Sequence, residues 1–175
     1  PLSIEANILA CKLVASCYAE GLANTRLDYP RALVVDDCGE SWGSRQHDSM
    51  MRLSRLYREG IGIDATPAPT LAALDALIAA HLAHIPFENL DALTGRRVDI
   101  DLPSVFRKLV DEHRGGYCFE LNTLFCAGLK SLGFHVTPLA ARVRWNVPDT
   151  APTGLSHMLL RVEVAHESHI ADVGF

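Results

Sequence analysis

The spacing of apolar residues changes at Gly133, and this change constrains the fold more than any other feature of the chain. Before it, apolar side chains recur at helical intervals. Leu71, Leu74, Leu77, Ile78, Leu82 and Ile85 trace one face after Thr70, a good N-cap, and Pro86 ends the run. Val105, Phe106, Leu109 and Val110 trace a second helix, opened by Pro103 and stopped at Gly115-Gly116. Phe119, Leu121, Leu124, Phe125, Leu129 and Leu132 trace a third, from Cys118 to Gly133. Beyond Gly133 the period is that of strands. FHVTPLAARVRW (134–145) reads as one, and Met158, Leu160, Val162 and Val164 then alternate with Leu159, Arg161 and Glu163. Ile170 and Val173 begin the next, across a polar loop (165–168) short enough for a hairpin. Helices followed by antiparallel strands predict an α+β fold, an N-terminal helical bundle and then an antiparallel sheet or barrel.

A chain of 175 residues buries roughly 70% of the surface its unfolded form exposes. With 49% apolar and 21% charged residues it has ordinary globular usage, which excludes disordered and collagen-like classes. Net charge is −5, from 16 basic and 21 acidic residues with no basic block, so neither a nucleic-acid partner nor a membrane surface is expected. No apolar run is long enough for a membrane span. The segment 4–23 is apolar enough to raise a secretory leader, but Glu5, Lys12 and the lack of a basic start argue against one. Five cysteines, at 11, 17, 38, 118 and 126, are odd in number and lack framework spacing, which fits a reducing cytoplasm.

Residues 1–50 carry no functional signal: a helix is expected at 4–20, a strand at 31–35 and a turn cluster over Asp36–Ser41. The chain starts at Pro1 without an initiator methionine, so a fragment is expected, with residues 1–50 an upstream extension or a mis-set start. Helical reading begins at Leu53. The expected organisation is an unassigned segment 1–50, a helical domain 51–133 carrying a nucleophile and a β domain 134–175 carrying its partners. His81 and His84 lie one turn apart, but no third ligand of suitable type follows nearby, so they read as helix-surface histidines and no metal is expected.

The nucleophile is Cys118. In RGGYCFELN (114–122) it follows two glycines and heads a helix, where unpaired N–H groups and the helix dipole favour a thiolate. Cys126 falls two turns later, about 12 Å along the axis, too far for a disulfide, and reads as core. His157 opens the strand SHMLLRVEV, and Asp172 lies in HIADVGF. An even hairpin loop puts both on one face of the ribbon. A carboxylate that holds one imidazole nitrogen leaves the other to take the thiol proton, which is the logic of a Cys-His-Asp triad.

RGGYCFELN, IPFENLD (85–91), SHMLLRV and ADVGF resemble, in order and spacing, the arylamine N-acetyltransferases, from about Leu53 to Phe175. The resemblance implies a cysteine-protease-like catalytic core in which Cys118 is acetylated, His157 is its base and Asp172 the orienting acid. It implies acetyl-CoA as cosubstrate with no tightly bound cofactor, and small aromatic amines or hydrazines as acceptors in ping-pong order. It pairs Arg114 with Glu88 to pin the loop that presents the thiol, with Glu120 flanking it. It places Phe87, Val143 and Trp145 near the acceptor and Thr153-Gly154 near the pantetheine arm. Gly115 and Gly116 suit close backbone approach or positive φ, and the Cys118 N–H is an oxyanion donor. The family carries a further C-terminal lid domain beyond Phe175, so weak acetyl-CoA binding or leakage of acetyl groups to water is expected here. The competing readings are a cysteine amidase or amide synthase using the same triad, and a non-catalytic truncated product. A papain-type peptidase is disfavoured, because the C-G-[SA]-C-[WY] signature is absent and His157 follows Cys118 too closely.

Overall fold

A computed structural model describes residues 44–64, 66–144, 148 and 152–175. Among these residues five α-helices and three strands follow in order: α1 (Ser44–Gly60), α2 (Leu71–His84), α3 (Leu90–Leu93), α4 (Leu102–Phe106), α5 (Cys118–Ser131), β1 (His135–Ala141), β2 (His157–Val164) and β3 (Glu167–Ala171). The described part is therefore α+β. The helix expected at 4–20, the strand at 31–35, the turn at 36–41 and Trp145 lie outside the described residues.

Local chemistry accounts for most boundaries. Thr70 caps α2 by accepting from the Ala73 N–H at 3.2 Å, and the chain leaves the helix at Ile85, before Pro86. The face that α2 buries is largely the expected one, with Ile85 buried and Ile78 and Leu82 packed against the core, but it has two differences. Leu74, Leu77 and His81 are buried, whereas Leu71 is exposed. His81 is thus no surface residue: its Nδ1 bonds the Tyr57 hydroxyl at 3.1 Å, and its ring meets Phe125 edge-on. Spacing of three and four residues continues the stripe from Leu74 and Leu77 to this position. His84 is exposed, its Nδ1 2.9 Å from the Ala80 carbonyl oxygen.

Helix α1 starts earlier than Leu53, at Ser44. Asp101 caps α4 by accepting from the Ser104 N–H, and after Phe106 the chain widens into a π-helical segment, Arg107–Asp111. The helical path ends there, short of Gly115-Gly116, and His113 takes a left-handed φ of 52° in the connecting loop. α5 is apolar on most sides, as a central helix must be, and packs against α1, α4, β1 and β2. At its Gly128 α1 comes close: a Cβ there would lie 2.4 Å from Tyr57 Cε1.

The strands form one antiparallel sheet in the order β1-β2-β3, with Ala141 opposite His157 and Leu160 opposite Ala171. Pro138, which lacks an N–H, is accommodated because β1 lies at an edge of this sheet. The hairpin loop is two residues, not the expected four. Ala165 and His166 both have positive φ (52° and 67°), as a type I′ turn requires, and β3 starts at Glu167. The loop length stays even, so the predicted facing is preserved. One buried cluster joins helical residues such as Tyr57, Leu77, Val105 and Phe125 to Val136, Met158, Leu160 and Val173 of the β part.

Candidate active site

Cys118 is the first residue of α5 and is buried. Two neighbouring segments hold its helix tip. The IPFEN segment runs beside the two glycines: the Gly116 N–H donates to Pro86 O at 3.2 Å, and the Glu88 N–H to Gly116 O at 2.9 Å. A Cβ on Gly115 would sit 2.3 Å from Pro86 O. Close approach, not positive φ, is what these glycines supply, since neither adopts the left-handed region. On the other side, a Cβ on Gly174 would meet Cys118 Cα at 2.6 Å. The segment after β3 thus lies directly against the cysteine backbone.

His157 is the first residue of β2, and Asp172 follows β3 by one residue. Continuing the register puts Asp172 opposite Leu159, two residues along the same face from His157. Asp172 Oδ2 and His157 Nε2 are 2.5 Å apart, with both side chains buried. That bond occupies Nε2 and leaves Nδ1 for the thiol. Burial works against a charged His157 ring, but hydrogen bonds to Asp172 and Cys118, and the attraction of both, outweigh it and raise its pKa to about 9. The thiol also lies 3.9 Å from the Ser156 carbonyl. The three residues singled out in the sequence therefore come together, with Asp172 bonded to the ring and Cys118 among the groups that raise its pKa.

Asn122, one turn after Cys118 on α5, holds a specific place beside Asp172. Its Nδ2 donates to Asp172 Oδ1 at 2.9 Å and to Met158 O at 2.8 Å, and its Oδ1 accepts the Val173 N–H at 3.2 Å. The Gly174 N–H also donates to Asp172 Oδ1. One carboxylate oxygen is thereby fixed by amides, and the other faces the imidazole. Phe175, not anticipated, stands edge-on to the His157 ring at 5.3 Å and is partly exposed.

Arg114 does pair with Glu88, at 2.9 Å, but within a larger group of charges. Arg114 also reaches Asp91 at 2.9 Å, and Lys108 reaches Asp91 at 2.9 Å and Glu120 at 2.7 Å. Glu120 in turn accepts the Tyr117 N–H through its other oxygen, capping α5. A hydrogen bond from Lys108, then one from Arg114, holds the Asp91 carboxyl below its usual range despite desolvation. Lys108 and Asp91 were missed in the sequence. Asp91, three residues after Glu88 in IPFENLD, was the available signal.

The other predicted residues among the described ones are Phe87, Val143, Thr153 and Gly154. Phe87 is exposed and bridges to Gly116, two residues before Cys118. Val143 is half-buried just after β1. Thr153 and Gly154 lie on the approach to β2; Gly154 is exposed, and Thr153 Oγ1 is buried with no hydrogen-bond partner among the described residues. No group of side chains suited to holding a metal ion occurs among the described residues.

A family model described as N-acetyltransferase matches residues 70–175, more than half of the chain. An arylamine N-acetyltransferase of Mycolicibacterium smegmatis is 46% identical over 123 residues, covering 68% of this chain and 45% of that protein. The chain belongs to the arylamine N-acetyltransferase family. A second family member, the arylamine N-acetyltransferase / N-hydroxyarylamine O-acetyltransferase of Salmonella typhimurium, is 44% identical over 122 residues, or 70% of this chain and 41% of that one. Solved arylamine N-acetyltransferase structures agree with the fold. The Salmonella typhimurium enzyme superposes with a TM-score of 0.67 at 42% identity, over 70% of this chain and 44% of its own. The Mycobacterium marinum enzyme in complex with CoA gives 0.64 at 41% identity, over 69% and 45%. The chain spans less than half the length of these relatives.

Proposed function

We propose that the protein transfers acetyl groups from acetyl-CoA to arylamines through an acetyl-cysteine on Cys118, in ping-pong order. The observation that carries this reading is the buried row of thiol, imidazole and carboxylate, with Asn122 fixing its far end. It is the arrangement of a cysteine-protease-like core, with the helical part (51–133) supplying the nucleophile and the β part (134–175) the base and acid. Relatives named for arylamine acetylation, one of them solved with CoA, support the substrate pair.

The raised pKa of His157 makes its ring a ready acceptor of the Cys118 proton, which leaves the sulfur as the nucleophile. The thiolate attacks the thioester carbonyl, and the Cys118 N–H at the helix tip is placed to meet the developing oxyanion. The carbon–sulfur bond to coenzyme A then breaks, and the departing thiolate takes the proton from His157. Acetylation removes the cysteine's charge and with it part of what raised the His157 pKa, so the neutral ring is now a base. It takes a proton from the attacking amine as the acetyl group leaves sulfur, which restores the ion pair. Phe87, Val143 and Trp145 are assigned to the amine side. Thr153 and Gly154 are assigned to the pantetheine arm, where the unpartnered Thr153 hydroxyl would find a polar group.

The test is intact-mass analysis of the full chain with acetyl-CoA. One acetyl group is expected, absent in Cys118→Ala and removed by an added arylamine. Acetylation that survives Cys118→Ala would sink the assignment. An adduct that amides or esters form and thioesters do not would favour an amidase using the same three residues.

A further inference from the structure

Lys108 touches none of the three reacting side chains, yet its ammonium is largely enclosed, with 13% of the side chain exposed. The π-helical widening at Arg107–Asp111 carries it, and such insertions often mark functional positions. Its main chain is tied to the same region: the Lys108 carbonyl accepts the Arg114 N–H at 3.0 Å, at the start of the loop leading to Cys118. Its ammonium contacts three carboxylates, Glu120 at 2.7 Å, Asp91 at 2.9 Å and Glu88 at 3.7 Å. Glu120, 2% exposed, lies two residues after Cys118 and caps the same helix turn through the Tyr117 N–H.

Two anions therefore compete for one helix N-terminus, the Glu120 carboxylate and the Cys118 thiolate. Uncompensated, the carboxylate would disfavour the thiolate by like-charge repulsion. We infer that Lys108 is a positioning residue for Cys118: by pairing with Glu120 it fixes the first turn of α5 and cancels the charge that would oppose the thiolate. This rests on the acetyl-cysteine reading above. Arg114 serves the outer end of the group, on Glu88 and Asp91, and does not substitute for Lys108 at Glu120. The titratable groups facing Cys118 are His157 from β2, with Asp172 behind it, and Glu120 and Tyr117 from its own helix turn. The Tyr117 phenol is pushed up by burial first, then by Cys118 and Glu120.

The experiment is the pH profile of iodoacetamide alkylation at Cys118, read by peptide mass spectrometry with Cys126 as internal reference. Lys108→Met is expected to move the Cys118 midpoint up by about half a pH unit or more. Glu120→Gln retains an oxygen for the Tyr117 N–H but removes the carboxylate charge that opposes the thiolate while Lys108 stays in place, and is expected to move the midpoint down. The double variant should return close to the wild type. Shifts of opposite sign distinguish this role from a structural one, which would disturb both single variants in the same sense. An unchanged midpoint in Lys108→Met, or shifts of the same sign, would overturn the inference. If Lys108→Met does not fold, the Glu120→Gln shift decides: downward supports the inference, and no shift or an upward one overturns it. Failure of the acetyl-cysteine reading itself looks different, because wild-type Cys118 would then alkylate no faster than Cys126.

Discussion

The amide of Asn122 bonds at once to the β2 backbone, to Asp172 and to the backbone one residue beyond it. Each buried group left without a partner costs about 1–3 kcal/mol. Asn122→Ala should therefore lower the free energy of urea unfolding by about 2–4 kcal/mol, and the freed carboxylate should slow Cys118 acetylation at least about tenfold. An unchanged acetylation rate in a folded variant would show that Asp172 needs no such clamp. His157 gives a second prediction. Its folded pKa, about 9, lies above the ordinary value of 6.5, so the stability it contributes is full below pH 6.5 and is lost as pH rises through about 9. Asp172→Asn removes a main cause of the rise. In that variant the alkaline loss of stability attributable to His157 should be smaller and complete at lower pH, as followed by urea unfolding between pH 6 and pH 10. At this scale the sequence was informative about Cys118, His157 and Asp172, because each sits at a recognisable end of an element. Lys108 and the exact duty of Asn122 were not legible, since both depend on which oxygen of which distant carboxylate they reach.

At the scale of elements, legibility followed the strength of local signals. α2 and α5 were placed almost to the residue, since Thr70, Pro86 and Gly133 punctuate them. The π-helical segment was invisible because no side-chain pattern distinguishes an i→i+5 path from an α-helical one. The hairpin turn was overestimated because Ala165-His166 lacks the Asn-Gly or Asp-Gly pair that normally announces left-handed turns. Packing makes one more element-level prediction. Propensity alone says Gly128→Ala should stabilise α5 by about 1 kcal/mol. The added methyl, however, meets the Tyr57 ring at 2.4 Å, and that ring is fixed in the core through its hydroxyl bond to His81. Overpacking of this kind costs about 1–3 kcal/mol, so the net effect should be destabilising. A higher melting temperature for Gly128→Ala would show that α1 moves aside freely.

For the molecule as a whole, the helical and β parts share one core, and the buried Tyr57–His81 pair lies in its helical part, against α5. That siting gives the fold an acid weakness independent of the active site. Burial without a counter-charge lowers the His81 pKa to about 3, so the folded protein keeps this ring neutral where the unfolded chain would protonate it. Between pH 6.5 and about 3 the unfolded state therefore binds one more proton at this residue. Stability must fall as pH falls across that window, by up to about 1.4 kcal/mol per pH unit from this group alone. The carboxylates Asp91 and Asp101, whose pKa values are lowered by hydrogen bonds from Lys108 and Ser104, add loss of the same sign, but only at lower pH where carboxylates protonate. The two contributions separate near pH 5 to 6, where only histidine titrates. His81→Gln keeps a polar partner for the Tyr57 hydroxyl and has no titration there. Urea unfolding should thus show a stability slope between pH 5 and pH 6 in the wild type that is markedly reduced in His81→Gln, and equal slopes would mean that His81 gains a proton partner on folding.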